Sequence, residues 1–380
     1  MRLPKPRHLA LAVALAAAAG CASSPQAPSA ASPAPAAAPV AAAVDVGEIA
    51  GAPYRIEIPA GWQGDLLVYA RGYTPVGMPN EGRSERDAQD EWAVSQGYAI
   101  ARSEFSAQGW AVAEGVADSE ALRAHFAARH GEPKRTFLIG NSMGSHIALA
   151  LLERHPEHYA GVLALCGANA PAAEIFNDHL FPALVAFDFF FPGALGMAPG
   201  GLADPASPPW PDPEAIERAL QGNEAVARLL AERFDIPREG LAGGLMTRYG
   251  VLRELQQRAG GLTVDNRELR YTGMGDDAAF NAGVRRYQGD PAAMAYAARN
   301  AALTGAAPRP VVLLDNQADP TIPTEVSRRY AALATAKGQG ANVLVLPAQG
   351  QGHCEFTAEQ HAQAFAKLVS WVDSGTRPAP

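Results

Sequence analysis

The 380-residue chain has no block of basic residues and carries a formal net charge of −8. Without a basic patch there is no electrostatic footprint for a polyanion, so nucleic-acid binding is not expected. Cysteine is scarce, at three residues, and no Cys/His cluster has the spacing of a zinc site. His155 and His158 are near neighbours, but Pro156 ends the helix between them, and the pair reads as a solvated helix end rather than a metal site. No internal repeat is found, and the apolar run near the start, Leu9 to Ala19, is 11 residues long. A helix needs about 20 such residues to span a bilayer.

That short run follows Arg2, Lys5 and Arg7 and precedes Ala18-Ala19-Gly20-Cys21. Basic residues, an apolar stretch and small residues in that order are the pattern of an export signal. The small residues before Cys21 resemble the bacterial lipobox, although Ala18 stands where leucine is usual. Residues 1–20 are therefore expected to be a signal peptide. Cys21 is expected to be lipidated, tethering the protein to the periplasmic face of a bacterial membrane. Ordinary signal-peptidase cleavage, giving a soluble exported protein, is the alternative. Residues 21–45 are mostly Ala, Pro and Ser, a composition that buries too little surface to offset ordering entropy, and read as a flexible linker.

From Val46 the composition is globular. Tyr54–Pro59 alternates apolar and polar and is expected as an outer strand. Asp65–Ala70 is a continuous apolar run, as in a strand buried on both faces of a parallel sheet. Strands are expected at Tyr98–Ala101, Thr136–Ile139 and Gly161–Leu165, with helices at Val116–Arg129 and from Ser145 to about Arg154. The alternation then stops. Residues 168–308 hold Pro- and Phe-rich stretches and short helical segments, and read as a mostly helical cap inserted between two parts of one core, 46–167 and 309–376. Strands at Pro310–Leu314 and Asn342–Leu346 and a helix at Thr357–Val372 complete that core. The expected fold is α/β, mainly parallel, with helices on both faces of the sheet.

Within it, Gly140-Asn141-Ser142-Met143-Gly144 lies between a strand and a helix. In that setting the pentapeptide forms a tight turn that lifts the serine hydroxyl clear of the sheet. A hydroxyl is a poor nucleophile until a base takes its proton, and the base works best when a carboxylate fixes its tautomer. Asp319, in the turn after the first strand past the insertion, and His353, after the last strand, follow Ser142 by 177 and then 34 residues. Asp315 is the other acid available at that strand end.

These motifs, with the Arg71-Gly72-Tyr73 turn, resemble the exported α/β-hydrolases of the serine esterase/lipase type. The resemblance implies Ser142 as nucleophile, His353 as base, Asp319 as its orienter and the N–H groups of Tyr73 and Met143 as oxyanion hole, with no metal or organic cofactor. Many relatives have His-Gly where this chain has Arg71-Gly72, which leaves the role of Arg71 open. The expected activity is cleavage of carboxylic esters through an acyl-enzyme. The alternatives are a peptidase or amidase of the prolyl-oligopeptidase-like branch, and an inactive hydrolase fold serving as an envelope binding module. Trp110 and Phe187, Phe189, Phe190 and Phe191 line an acyl pocket or, the preferred reading, pack the cap. Asp276 and Asp277 read as a turn or helix cap. Export also predicts a disulfide between Cys166 and Cys354, both expected at the catalytic edge of the sheet; two separate thiols are the alternative.

Overall fold

In the computed structural model, which describes residues 41–78 and 85–380, the apolar runs become the centre of one eight-stranded sheet. The strands are β1 (Ala43–Ile49), β2 (Ala52–Ile58), β3 (Asp65–Ala70), β4 (Ala99–Ser103), β5 (Arg135–Asn141), β6 (Gly161–Leu165), β7 (Val311–Leu314) and β8 (Val343–Val345). Their order is β1-β2-β4-β3-β5-β6-β7-β8. β2 runs antiparallel to both its neighbours, and every pair from β4 to β8 is parallel. This order, with helices on both faces, is the α/β-hydrolase fold. The expected signal segment, Cys21 and most of the expected linker lie outside the described residues.

Successive side chains of each strand enter opposite layers. Leu66, Val68, Leu138 and Val162 face one core, with Val116 and Ile147 from the helices α2 (Val112–His130) and α3 (Met143–Arg154). Leu67, Phe137, Ile139 and Leu163 face the other, against Ala93 of α1 (Ala88–Ser95) and Phe365, Leu368 and Trp371 of the last helix, Ala358–Ser374. That last helix is closed at its start by a reciprocal Thr357–Gln360 capping box and at its end by Gly375 in the left-handed conformation.

Between β6 and β7 the chain runs through α4 (Ala172–Glu174), a π turn at Ile175–Leu180, α5 (Phe181–Phe190), α6 (Pro213–Gly222), α7 (Glu224–Arg233), α8 (Leu241–Ala259), α9 (Asp277–Gly283) and α10 (Pro291–Asn300). Two more helices, α11 (Thr324–Ala336) and α12 (Ala358–Ser374, already described), follow β7 and β8. Among the described residues no helix is long and apolar enough to cross a membrane.

The main departure from the sequence reading is at the N-terminal edge. Ala43, Val44 and Asp45, read as the end of the linker, pair with Ile58, Glu57 and Ile56. β1 hides almost nothing, with five of its seven residues exposed, so apolar periodicity gives it no signal.

Candidate active site

The carboxyl ends of the parallel strands carry the site, as expected where open α/β sheets bind ligands. Ser142 joins β5 to α3 with φ 55°, in a region L-residues seldom adopt. The turn is possible only because its flanks lack Cβ atoms. A Cβ on Gly144 would lie 1.9 Å from the carbonyl oxygen of Ala70, and one on Gly140 would lie 2.1 Å from that of Gly144. Backbone against backbone has no rotamer to yield, so the spacing of the two glycines is a steric requirement of this turn.

His353 stands on the loop after β8. Its Nε2 is 2.9 Å from Ser142 Oγ and its Nδ1 is 2.7 Å from Asp319 Oδ2. Asp319 is held by its other oxygen, which accepts from the backbone N–H groups of Thr321 and Ile322 at 2.8 and 2.9 Å. The carboxylate is thus held by contacts that do not involve the imidazole. Asp315, the other acid at that strand end, is 2% exposed and occupied elsewhere. It accepts from Ser327 Oγ and from Arg328 Nε on α11, and burial pushes its pKa up.

Two features stitch the Asp319 and His353 loops together. Asn316, which sequence reasoning passed over, accepts from the N–H of Cys354 at 2.9 Å and donates to the carbonyls of Gln349 and Glu355 at 3.2 Å. Backbone bonds run from Gln317 to Gly350 and from Gly352 to Ala318. The expected disulfide is present: Cys166, at the end of β6, is joined to Cys354 with the Cα atoms 5.2 Å apart. The bridge therefore abuts His353 directly.

The Arg71-Gly72-Tyr73 turn lies on the other side of the serine, where a Cβ on Gly72 would stand 3.4 Å from Ser142 Cβ. Tyr73 and Met143 both line the cavity above Ser142. As the first residue of α3, Met143 has an N–H with no intrahelical acceptor. Among the described residues the N–H of Tyr73 has no acceptor either. Arg71 does not face the serine. Its guanidinium bonds the carbonyls of Glu104 and Gly72 and Thr74 Oγ1, and lies 4.6 Å from the centre of the Phe105 ring. It braces the turn from behind.

The cavity measures about 370 Å³ and is mostly apolar, with Trp110, Ile175, Leu180, Val251 and Ile322 in its wall. Of Trp110 and the four phenylalanines singled out above, Trp110 alone lines it. Phe187 packs on Phe191 and Phe189 on Phe280, within the insertion. Asp276 caps α9 by accepting from Ala279 N–H, and Asp277 accepts from Gly273 and Met274. At the far end of α3, Glu120, His155 and His158 bring one ligand atom each within 4.8 Å of the others, a grouping that the short His155–His158 spacing did not suggest. Glu120 already accepts from Tyr159 Oη at 2.6 Å and from Arg123 Nη2 at 2.8 Å, which leaves little negative charge there for a cation.

The profile of the family described as "Putative esterase" matches residues 62–231, which include Tyr73, Ser142 and Met143 but not Asp319 or His353. No curated protein sequence matches the chain significantly. Among solved structures, an esterase from Pyrococcus furiosus is similar at 12% identity and a TM-score of 0.43, over 89% of this chain and 92% of that one. A thermostable carboxyl esterase from Bacillus coagulans is similar at 12% identity and a TM-score of 0.41, over 88% of this chain and 97% of that one. The family match supports an ester hydrolase in general terms.

Proposed function

We propose that this protein is a serine esterase that cleaves carboxylic esters through an acyl-enzyme. The observation that carries the reading is the hydrogen-bonded series from Asp319 through His353 to Ser142, at 2.7 and 2.9 Å. His353 Nε2 takes the proton of Ser142 Oγ as the oxygen attacks the ester carbonyl, and Asp319 holds the proton on Nδ1 and stabilises the imidazolium. The N–H groups of Tyr73 and Met143 receive the developing oxyanion. His353 then returns the proton to the leaving alcohol. A water molecule, deprotonated by the same nitrogen, releases the acid and restores the serine.

The expected place of action is the envelope of a bacterium, with Cys21 as lipid anchor; the reading rests on the N-terminal sequence pattern alone. Conversion of Cys21 to serine should then release the protein from the membrane fraction or block its processing.

The activity is tested by labelling with a fluorophosphonate. One adduct is expected, on Ser142, and Ser142→Ala should abolish both labelling and turnover of 4-nitrophenyl esters, a loss of up to about 10⁶-fold in rate. Full turnover by Ser142→Ala would overturn the reading. Faster turnover of peptide anilides than of esters would favour an amidase.

A further inference from the structure

The insertion gives the cavity one charged side chain that no carboxylate among the described residues pairs with directly. Arg248, on α8, is 2% exposed and lines the same cavity as Ser142 and His353. Its Nη1 donates to the carbonyl oxygens of Gly244 at 3.1 Å and Pro320 at 3.0 Å. A Cβ on residue 244 would come within 3.0 Å of both Nη1 and the Pro320 carbonyl, so Gly244 makes the room for this seat. The rest of the guanidinium is unspent. Among the described residues the buried Nε has no acceptor, Nη2 makes no hydrogen bond, and no carboxylate forms an ion pair with either. Arg253, five residues on and 3% exposed, also has a buried Nε without a partner among the described residues. Both of its terminal nitrogens are engaged, however, Nη1 by the Leu202 carbonyl and Nη2 by the Ser207 carbonyl, so the contrast lies at the Nη2 of Arg248.

Taking a guanidinium out of water is costly unless partners replace the solvent, and two carbonyls on one nitrogen replace only part of it. Burial draws the pKa of Arg248 down to about 10, with the charge of Asp319 opposing the shift without touching the guanidinium, and Arg248 is still protonated at neutral pH. Nε and Nη2 form one edge of the planar fork, the edge that meets the two oxygens of a carboxylate side by side. Thr247 and Thr321 line the same cavity, and among the described residues neither hydroxyl is engaged. One permanent cation in a mostly apolar chamber of about 370 Å³ matches a single negative charge rather than a phosphate dianion.

We propose that Arg248 receives a carboxylate carried by the substrate, so that the preferred esters are acidic ones. This rests on the esterase reading above and narrows its substrate class. The carboxylate sits on the acyl part or on the alcohol part, and the test separates the two. Wild-type kcat/KM is measured for 4-nitrophenyl hydrogen adipate against its methyl ester, and for 4-(carboxymethyl)phenyl butyrate against its methyl ester. The acid should be preferred in one pair, and Arg248→Met should lower that ratio by about 30-fold, with Arg248→Lys retaining part of it.

A binding arm does not need turnover. Ser142→Ala is titrated calorimetrically with methyl hydrogen adipate and with dimethyl adipate. Tighter binding of the acid, lost in the Ser142→Ala/Arg248→Met double variant, supports the site. If the wild type turns over esters without preferring the acid in either pair, the proposal falls and the esterase reading stands. If Ser142→Ala binds the acid tightly and the wild type cleaves no ester, it is the esterase reading that falls.

Discussion

Tyr73 Oη donates to Glu254 Oε2 at 2.5 Å, which fastens the turn beside Ser142 to the helix of the insertion that carries Arg248. The second oxygen of Glu254 accepts from the N–H of Val76 at 2.8 Å, so one carboxylate holds Tyr73 and the backbone three residues after it. Burial raises the pKa of Glu254, with the two hydrogen bonds opposing that shift. The insertion is therefore coupled to the place where an oxyanion would form.

Tyr73→Phe keeps the N–H and removes the tether, and Glu254→Ala removes the tether from the other side. Each should cost about 1–3 kcal/mol of stability through a buried polar group left without its partner. Glu254→Ala should also lower kcat more than it raises KM, by about tenfold, if the turn supports a transition-state contact. Steady-state kinetics and thermal unfolding of the two variants check this.

Asp319→Asn should lower kcat by about 10⁴ while the fold is kept, because the imidazole is then held in the wrong tautomer. Asp315→Asn should act on stability instead, since Asp315 is bonded to Ser327 and Arg328 and not to His353. A larger loss of kcat in Asp315→Asn than in Asp319→Asn would reverse the assignment.

Replacing both Cys166 and Cys354 by alanine opens a covalent loop that spans 188 residues of sequence. Chain-entropy arguments put the loss at up to about 4–5 kcal/mol. Denaturant melts of oxidised, reduced and doubly substituted protein give the figure. Turnover should fall along with it, because Cys354 is the residue next to His353, although the Asn316 bond to the backbone N–H of residue 354 remains to limit the loss.

His146 is buried beneath the site, with Nδ1 2.8 Å from the Ala168 carbonyl and Nε2 without a partner among the described residues. Burial pulls its pKa from 6.5 to about 4. Between those values the unfolded chain binds the proton and the folded one does not. The stability tied to His146 is therefore complete above pH 6.5 and is lost as pH falls toward 4. His146→Gln should remove about one proton from this dependence, a slope of ~1.4 kcal/mol per pH unit. Asp90, raised to about 6 mainly by burial, acts in the opposite sense, so the comparison is between variant and wild type, not on the wild type alone.

The central strands were legible in the sequence because a strand covered on both faces must be apolar throughout, as Leu66, Leu67 and Val68 are. The elbow was legible because Gly140 and Gly144 are required by backbone contacts. α11 was passed over: its buried positions are Val326, Ser327, Tyr330 and Ala334, and a serine and an alanine among four weaken any apolar rhythm. Asn316 has no local signature either, since its partners are more than thirty residues away. An arginine inside a helix ordinarily reads as part of a solvated face. Arg248 is inside only because Gly244, one turn earlier, leaves space for it against Pro320.

The bridge from Cys166 to Cys354 straddles the whole insertion, with Ser142 on one side and Asp319 and His353 beyond it in the chain. A protease that nicks an exposed loop tip among residues 192–300 would cut the backbone between nucleophile and base without parting them. The two fragments should migrate as one species on a denaturing gel without reductant and separate once a thiol is added. Nicked protein that still turns over substrate would then be an enzyme of two chains, much as a zymogen-derived protease is after activation.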